Sequence, residues 1–358
     1  MGIHLLSGYK ERVNLKTRES QIKGQVTKEI NMSRIKNISF VLLTVLVAVT
    51  LTGCGPKATP QALTPITVQL KWLHQAQFAG LYAADQNGYY AAEGLKVSFI
   101  KGGPTVDLEK PVLDGTAQFG DIGADTLITE RADGKPLRAI AVIYRRSPLV
   151  FMALANSSIT RPQDFVGKTV QADTGVIILH AMLAKVGISS DQYHEVNIGT
   201  DLKPFYSGQV QVWNAFINNE VLTAQSAGYK VNIIYPDDYG IHFYSDTLFA
   251  TDDYIAANPN LVLRFLRATL KGWTYAIENP NLVAPMVSKY NPSANLQHET
   301  AQMIASIPLV NTGEDFIGWM KPEIWAGMEQ VLREQGVITT PLDVTQAYTM
   351  KFLQEIYK

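Results

Sequence analysis

One cysteine in 358 residues, and six histidines with no HExxH, HxxEH or paired spacing, leave little ligand chemistry for a metal. A disulfide within the chain is excluded outright. GxSxG, Walker A and strand-linked GxGxxG patterns are missing as well, so no nucleophile stands beside its base in sequence and no phosphate loop is announced. Long apolar runs are scarce. Residues 38–50 form a thirteen-residue run, short for a bilayer span, and no run of eighteen or more follows, which excludes a multi-span helical protein. Charged residues make up only 18% of the chain with a formal net charge of −1, and no repeat at the roughly 20–50-residue periods of solenoids is found. At 46% hydrophobic, the chain can nonetheless bury a large core, most simply as two domains after processing.

The lone cysteine gains meaning from its position. Met32-Ser-Arg-Ile-Lys-Asn37 is a basic stretch, residues 38–50 are apolar, and Leu51-Thr-Gly-Cys54 offers a small-residue cleavage site. The arrangement resembles a bacterial lipoprotein signal, with cleavage before Cys54 and acyl chains on it; a structural cysteine behind an uncleaved anchor is the alternative. Several acyl chains hold stably, each buried methylene contributing about 0.8 kcal/mol. The expectation is an exported domain, lipid-anchored on the extracytoplasmic face of the cell membrane. Residues 1–53 carry eight Lys or Arg against three Glu, so their removal leaves about −6 and no electrostatic reason to seek nucleic acid. Residues 54–65, rich in Pro, Thr and Ala, read as a spacer.

The next stretch organises the rest. Strand 66–70, turn 71–78, helix 79–92 and strand 95–100 form one βαβ unit. Its turn lies at the carboxyl end of the first strand, where open α/β sheets hold ligands. Trp72, Gln75, Gln77 and Phe78, with Tyr82 just inside the helix, offer ring faces beside amides there. Gly102 and Gly103 precede a helix near 107–114, either facing an anion or carbonyl or serving as a plain turn. Segment 118–127 runs from strand into helix, placing Asp125 at the junction. Strands follow at 139–143 and 149–155. Thr174 and Gly175 open a helix at 176–186, as a nest for an anion or carbonyl or as a simple cap. Strand 210–213 bears Trp213; Asn219 and Glu220 start a helix; strand 230–235 leads into segment 236–244, which holds Tyr239. Glu220 suits a ligand ring N–H or the helix dipole. Apolar residues at helical spacing over 258–277, and patterns near 281–289, 294–306, 322–335 and 344–357, predict a helical remainder.

Two α/β lobes joined by two hinge crossings follow, with 66–153 and 250–358 in lobe I, 154–249 in lobe II, and crossings at 149–155 and 246–250. Connection rules favour parallel sheets with right-handed crossovers throughout. The cleft between the lobes would collect aromatic and amide residues, with Trp72 and Phe78 facing Trp213 and the 239–244 segment.

Gln69-Leu-Lys-Trp72, Gln77-Phe-Ala-Gly-Leu-Tyr-Ala-Ala84, Asn87-Gly-Tyr-Tyr-Ala-Ala-Glu-Gly-Leu95, Asn219-Glu220, Asp238-Tyr-Gly240 and Pro259-Asn-Leu-Val-Leu-Arg-Phe-Leu-Arg-Ala268 resemble the solute-binding proteins akin to thiamine-pyrimidine synthesis proteins, in order over residues 66–290. The resemblance implies a type II periplasmic-binding-protein fold, a closing cleft, and delivery to the permease and ATPase subunits of an ABC importer. It implies as ligand a formylated aminopyrimidine, hydroxymethylpyrimidine or, in one branch, riboflavin; a fungal branch instead makes the pyrimidine from its own histidine and pyridoxal phosphate. Pyrimidine binders and makers of that family tend to carry Asp or Asn before the tryptophan and His six residues after it, where this chain has Lys71 and Phe78. That departure counts against synthase chemistry, leaves no cofactor expected, and favours a broader ring system such as riboflavin over a small pyrimidine.

Residues 1–31 fit no export logic, because a signal's basic region directly precedes its apolar core. Translation is expected to start at Met32, and N-terminal sequencing of the unprocessed precursor would overturn this by finding Met1.

Overall fold

The computed structural model describes residues 62–173, 175–340 and 342–358. The expected signal, the extension before it, the candidate lipidation site Cys54 and the candidate Thr174 lie outside the described residues. Among the described residues, ten strands form two sheets of five. In the first sheet, β1 (Thr64–Gln69) pairs in parallel with β2 (Leu95–Ile100) and β3 (Phe119–Gly123). β4 (Leu137–Val142) closes its far edge. The second sheet holds β5 (Leu149–Leu154), β6 (Thr169–Gln171), β7 (His194–Val196), β8 (Val212–Phe216) and β9 (Val231–Ile234), in the order β7-β6-β8-β5-β9. The chain then returns to the first sheet as β10 (Asp246–Thr251), between β3 and β4.

The expectation of wholly parallel sheets is overturned in one respect. β10 runs antiparallel to both β3 and β4, and β5 antiparallel to both β8 and β9. Each is the first strand after a passage from the other sheet. The parallel strands end at the gap between the sheets, so a strand that enters from the gap must start there and run away from it. Asp246, the first residue of β10, accordingly stands opposite Gly123, the last of β3, and Leu149 stands opposite Phe216.

Five helices matter below. The expected helix over 79–92 is broken into α1 (Ala79–Gln86) and α2 (Tyr89–Ala92) by Gly88, whose φ of 71° is left-handed and ends the first segment. α3 (Glu220–Ser226) follows β8. α4 (Pro259–Glu278) buries its apolar stripe, from Val262 through Phe265, Leu266 and Trp273 to Ala276. α5 (Leu296–Val310) comes later. The last expected helix is instead a 3-10 turn, Val344–Ala347, and a short helix, Lys351–Ile356. No helix among the described residues is long and apolar enough to cross a membrane.

The core of the first sheet is aromatic. Phe265 stacks on Phe119 with centroids 4.0 Å apart and on Tyr90 at 5.7 Å, while the Tyr90 hydroxyl and Thr269 Oγ1 share a 2.8 Å hydrogen bond. α1 and α4 cross where two glycines face each other's helix. A Cβ on Gly80 would fall 2.2 Å from the Trp273 ring, and one on Gly272 would fall 2.1 Å from the Gly80 carbonyl oxygen. Backbone cannot yield as a side chain can, so Gly272→Ala should push the helices apart and cost at least about 1–3 kcal/mol. Urea unfolding would show it, and an unchanged midpoint would mean the crossing is looser than the geometry states.

Candidate ligand-binding cleft

The carboxyl ends of the parallel strands in both sheets face one cavity of about 300 Å3. From the first sheet's junctions come Trp72, Gln75, Gln77 and Asp125; from the second come Trp213, Phe216, Asn219 and Glu220. The two passages between sheets add Ser147, Phe243, Tyr244 and Ser245. Seven sequence-predicted residues therefore border it, Trp72, Gln75, Gln77, Asp125, Trp213, Asn219 and Glu220, but Trp213 is 2% exposed and its ring packs beside Phe205 in the second sheet's own core.

Three do not. Phe78 and Tyr82 are 1% and 0% exposed and belong to the core. Phe78 ends a 3-10 turn, Ala76–Phe78, just before α1, and Tyr82 lies on α1 four residues on, their rings 6.4 Å apart in the core. The Tyr82 ring stacks on Tyr290 at 4.4 Å, and its hydroxyl is 2.8 Å from His74 Nδ1. Tyr239 ends a 3-10 turn, Pro236–Tyr239, and packs beside the core rather than lining the cleft. Phe243 and Tyr244, in the 239–244 segment expected to face Trp72, do line the cavity. Residues that the sequence reading left out include Lys71 and Phe216. Lys71 had a signal, since it adjoins Trp72 in the same turn; Phe216 is an apolar residue that nothing local separates from core.

The polar floor is built around Asp246. Lys71 Nζ lies 2.6 Å from Asp246 Oδ1, and Gln77 Nε2 donates to Oδ1 and Oδ2 at 3.1 and 2.8 Å. Gln75 Nε2 donates in turn to Gln77 Oε1 at 2.6 Å. Burial opposes the charge on Lys71, but the carboxylates of Asp246, Asp121 and Asp125 outweigh it and hold the ammonium above its ordinary pKa. Burial raises the Asp125 carboxyl, with Lys71 pulling the other way. Asp121 is pushed well up by burial and by the neighbouring Asp246.

On the other side, Glu220 starts α3 and accepts from the Phe216 backbone N–H at 2.8 Å and from the Asn219 amide at 2.8 Å. Burial raises its pKa against those bonds. Asn219 Oδ1 is 3.0 Å from His298 Nε2 on α5. The neighbouring Asn218 amide donates to Ser306 Oγ of α5 at 2.9 Å and to the Tyr144 hydroxyl at 3.2 Å. α5 also reaches the first sheet's turn, where Glu299 Oε2 accepts from the Ala76 N–H at 2.6 Å. One helix thus ties the β8–α3 junction to the β1–α1 junction.

Chemically, the cavity offers ring faces from both sides, amides, and carboxylates as acceptors. Its one lining cation among the described residues, Lys71, is already paired. No group of three or more His, Cys, Asp or Glu among the described residues is arranged to hold a metal.

The sequence model described as NMT1/THI5 like matches residues 75–282. The riboflavin-binding protein RibY of Chloroflexus aurantiacus is 26% identical over 317 residues, covering 84% of this chain and 88% of that protein. A formylaminopyrimidine-binding protein of Halalkalibacterium halodurans is also 26% identical, covering 80% and 94%. Among solved structures, the periplasmic aliphatic sulphonate binding protein SsuA from Escherichia coli superposes with a TM-score of 0.65 at 15% identity, over 81% of this chain and 92% of that one. The likeness is one of fold, the two-lobed α/β periplasmic-binding-protein arrangement.

Removing the Asp246 carboxylate strands an ammonium and an amide together. Asp246→Ala should cost about 3 kcal/mol, the lower end for a broken buried pair because Asp121 and Asp125 remain near. Chemical denaturation checks this, and a variant as stable as the parent would show the pair to be energetically idle.

Proposed function

Because the chain belongs to the NMT1/THI5-like family, we propose that it is the solute-binding subunit of an ABC-type importer whose cleft takes a flat nitrogen heterocycle, riboflavin foremost. Acyl chains on Cys54 would hold it outside the membrane, and permease and ATPase subunits would receive the ligand unchanged. The two lobes, one built on each sheet, would close on the ring about the two passages.

The observation that carries this reading is the cavity's lining: Trp72 on one side, Phe216 on the other, and the carboxyl groups of Asp125 and Glu220 between them. Stacking on an aromatic side chain contributes about 1–3 kcal/mol per ring. Asp125 and Glu220 suit the ring N–H and ribityl hydroxyls of a flavin, which donate. An anionic solute would meet those carboxylates and a lysine already committed to Asp246. The relative named for riboflavin supports the same ligand.

A thiamine pyrimidine precursor, formylaminopyrimidine or hydroxymethylpyrimidine, is the second reading, favoured by the same carboxylates because an exocyclic amine also donates to them. Synthase chemistry through pyridoxal phosphate is disfavoured by Lys71, whose ammonium is held protonated by its pairing. Incubation with pyridoxal phosphate should give no aldimine absorbance.

Riboflavin fluorescence is expected to be quenched on titration with micromolar protein, and Trp72→Ala should weaken binding roughly tenfold or more. An unchanged flavin signal overturns the riboflavin assignment. Displacement of flavin by a pyrimidine precursor at lower concentration would move the assignment to the second reading.

A further inference from the structure

The Lys71 ammonium sits in a slot whose walls do not depend on the lysine's own chain. Nζ lies 2.6 Å from Asp246 Oδ1, 3.3 Å from Ser245 Oγ and 5.7 Å from the centroid of the Phe216 ring. Two further carboxylates, Asp121 and Asp125, act on the same charge. Asp246 and Asp121 are 1% and 2% exposed, and Asp121 Oδ1 has no hydrogen-bond partner. Gln77, itself 3% exposed, fixes the Asp246 carboxylate through both oxygens. The acceptor side of the slot is therefore held in place by groups other than Lys71.

A buried carboxylate, a hydroxyl and an aromatic face around one positive nitrogen are the chemistry that binds a free alkylammonium. Phe216 comes from the second sheet while Asp246 and Ser245 lead into the first, so the slot opens onto the cleft between them. We propose that Lys71 is a specificity-determining residue: its tethered ammonium fills a subsite built for an organic cation, and so bars cationic solutes from the cleft and leaves it to neutral rings. A buried carboxylate without a counter-ion is costly, so removing the tethered ammonium leaves Asp246, held by Gln77, for a free cation to pair. The inference rests on the cleft being the ligand site and is independent of which ring occupies it.

Lys71→Ala deletes three methylenes and the ammonium, the atoms of propylammonium, which serves as the probe. Isothermal titration of the full chain with propylammonium chloride is expected to show binding to Lys71→Ala at least about tenfold tighter than to the parent. 1-Propanol should bind neither protein, and adding Asp246→Ala to the variant should abolish the gain. Equal or absent propylammonium binding in the folded variant overturns the proposal, as does binding that survives loss of Asp246. If Lys71→Ala fails to fold alone, recovery of folded protein by propylammonium and not by 1-propanol or sodium chloride supports the slot, and absence of selective recovery overturns it. Flavin plays no part in these titrations, so their failure is separate from failure of the riboflavin assignment.

Discussion

The direction of β10 is the constraint from which the site follows. A chain that passes twice between two sheets must re-enter each sheet at the gap, and the strand that re-enters begins where its parallel neighbours end. For the first sheet that beginning is Asp246, which places a carboxylate at the floor of the cleft in a sheet otherwise presenting the ends of β1 and β3. Lys71 leaves the end of β1 and Gln77 lies in the following turn, so both reach the same carboxylate. Had the returning strand been parallel, its first residue would lie at the opposite end of the sheet, and Lys71 would lose its hydrogen-bonded partner.

That pairing sets the chemical character of the site. A free lysine would make the cleft a receptor for anions or carbonyls. Paired with Asp246 and surrounded by Asp121 and Asp125, it leaves the exposed lining with acceptors and rings. The same fold in SsuA belongs to a protein named for sulphonates, so the architecture does not choose the ligand; the charge balance of the lining does.

Local chemistry made much of this legible. β2 was bounded by Gly94 and by alternating burial, and Trp72, Gln75 and Gln77 stood out because polar and aromatic residues directly follow a strand. What failed was whatever depends on distant partners. Phe78 and Tyr82 resemble Trp72 in composition, but Tyr290, far along the chain, provides the ring on which Tyr82 stacks in the core. The parallel-sheet expectation failed because handedness rules describe crossovers within one sheet, whereas β5 and β10 arrive from another. β7 was invisible because His194 and Glu195 are exposed on an edge strand and carry no apolar alternation. The value of Lys71 was hidden for the same reason as Tyr82's fate: its partner lies far along the chain, on β10.

The polar contacts around Asn218 and Asn219 bear on how a carrier of this kind would work. His298 with Asn219 and Asn218 with Ser306 join α5 to the β8–α3 junction, and the Lys71 ammonium faces Phe216 across the cleft. Beside them stand the Arg146–Asp237 ion pair and an apolar cluster that continues from the first sheet into the second through Tyr144, Leu149, Phe151 and Phe243. A hydrogen bond of this type contributes about 0.5–1.5 kcal/mol net, because water replaces it when it breaks. Buried apolar contact has no such replacement and resists separation. A closing motion would therefore exchange the polar contacts at the cleft and keep the apolar cluster as its pivot.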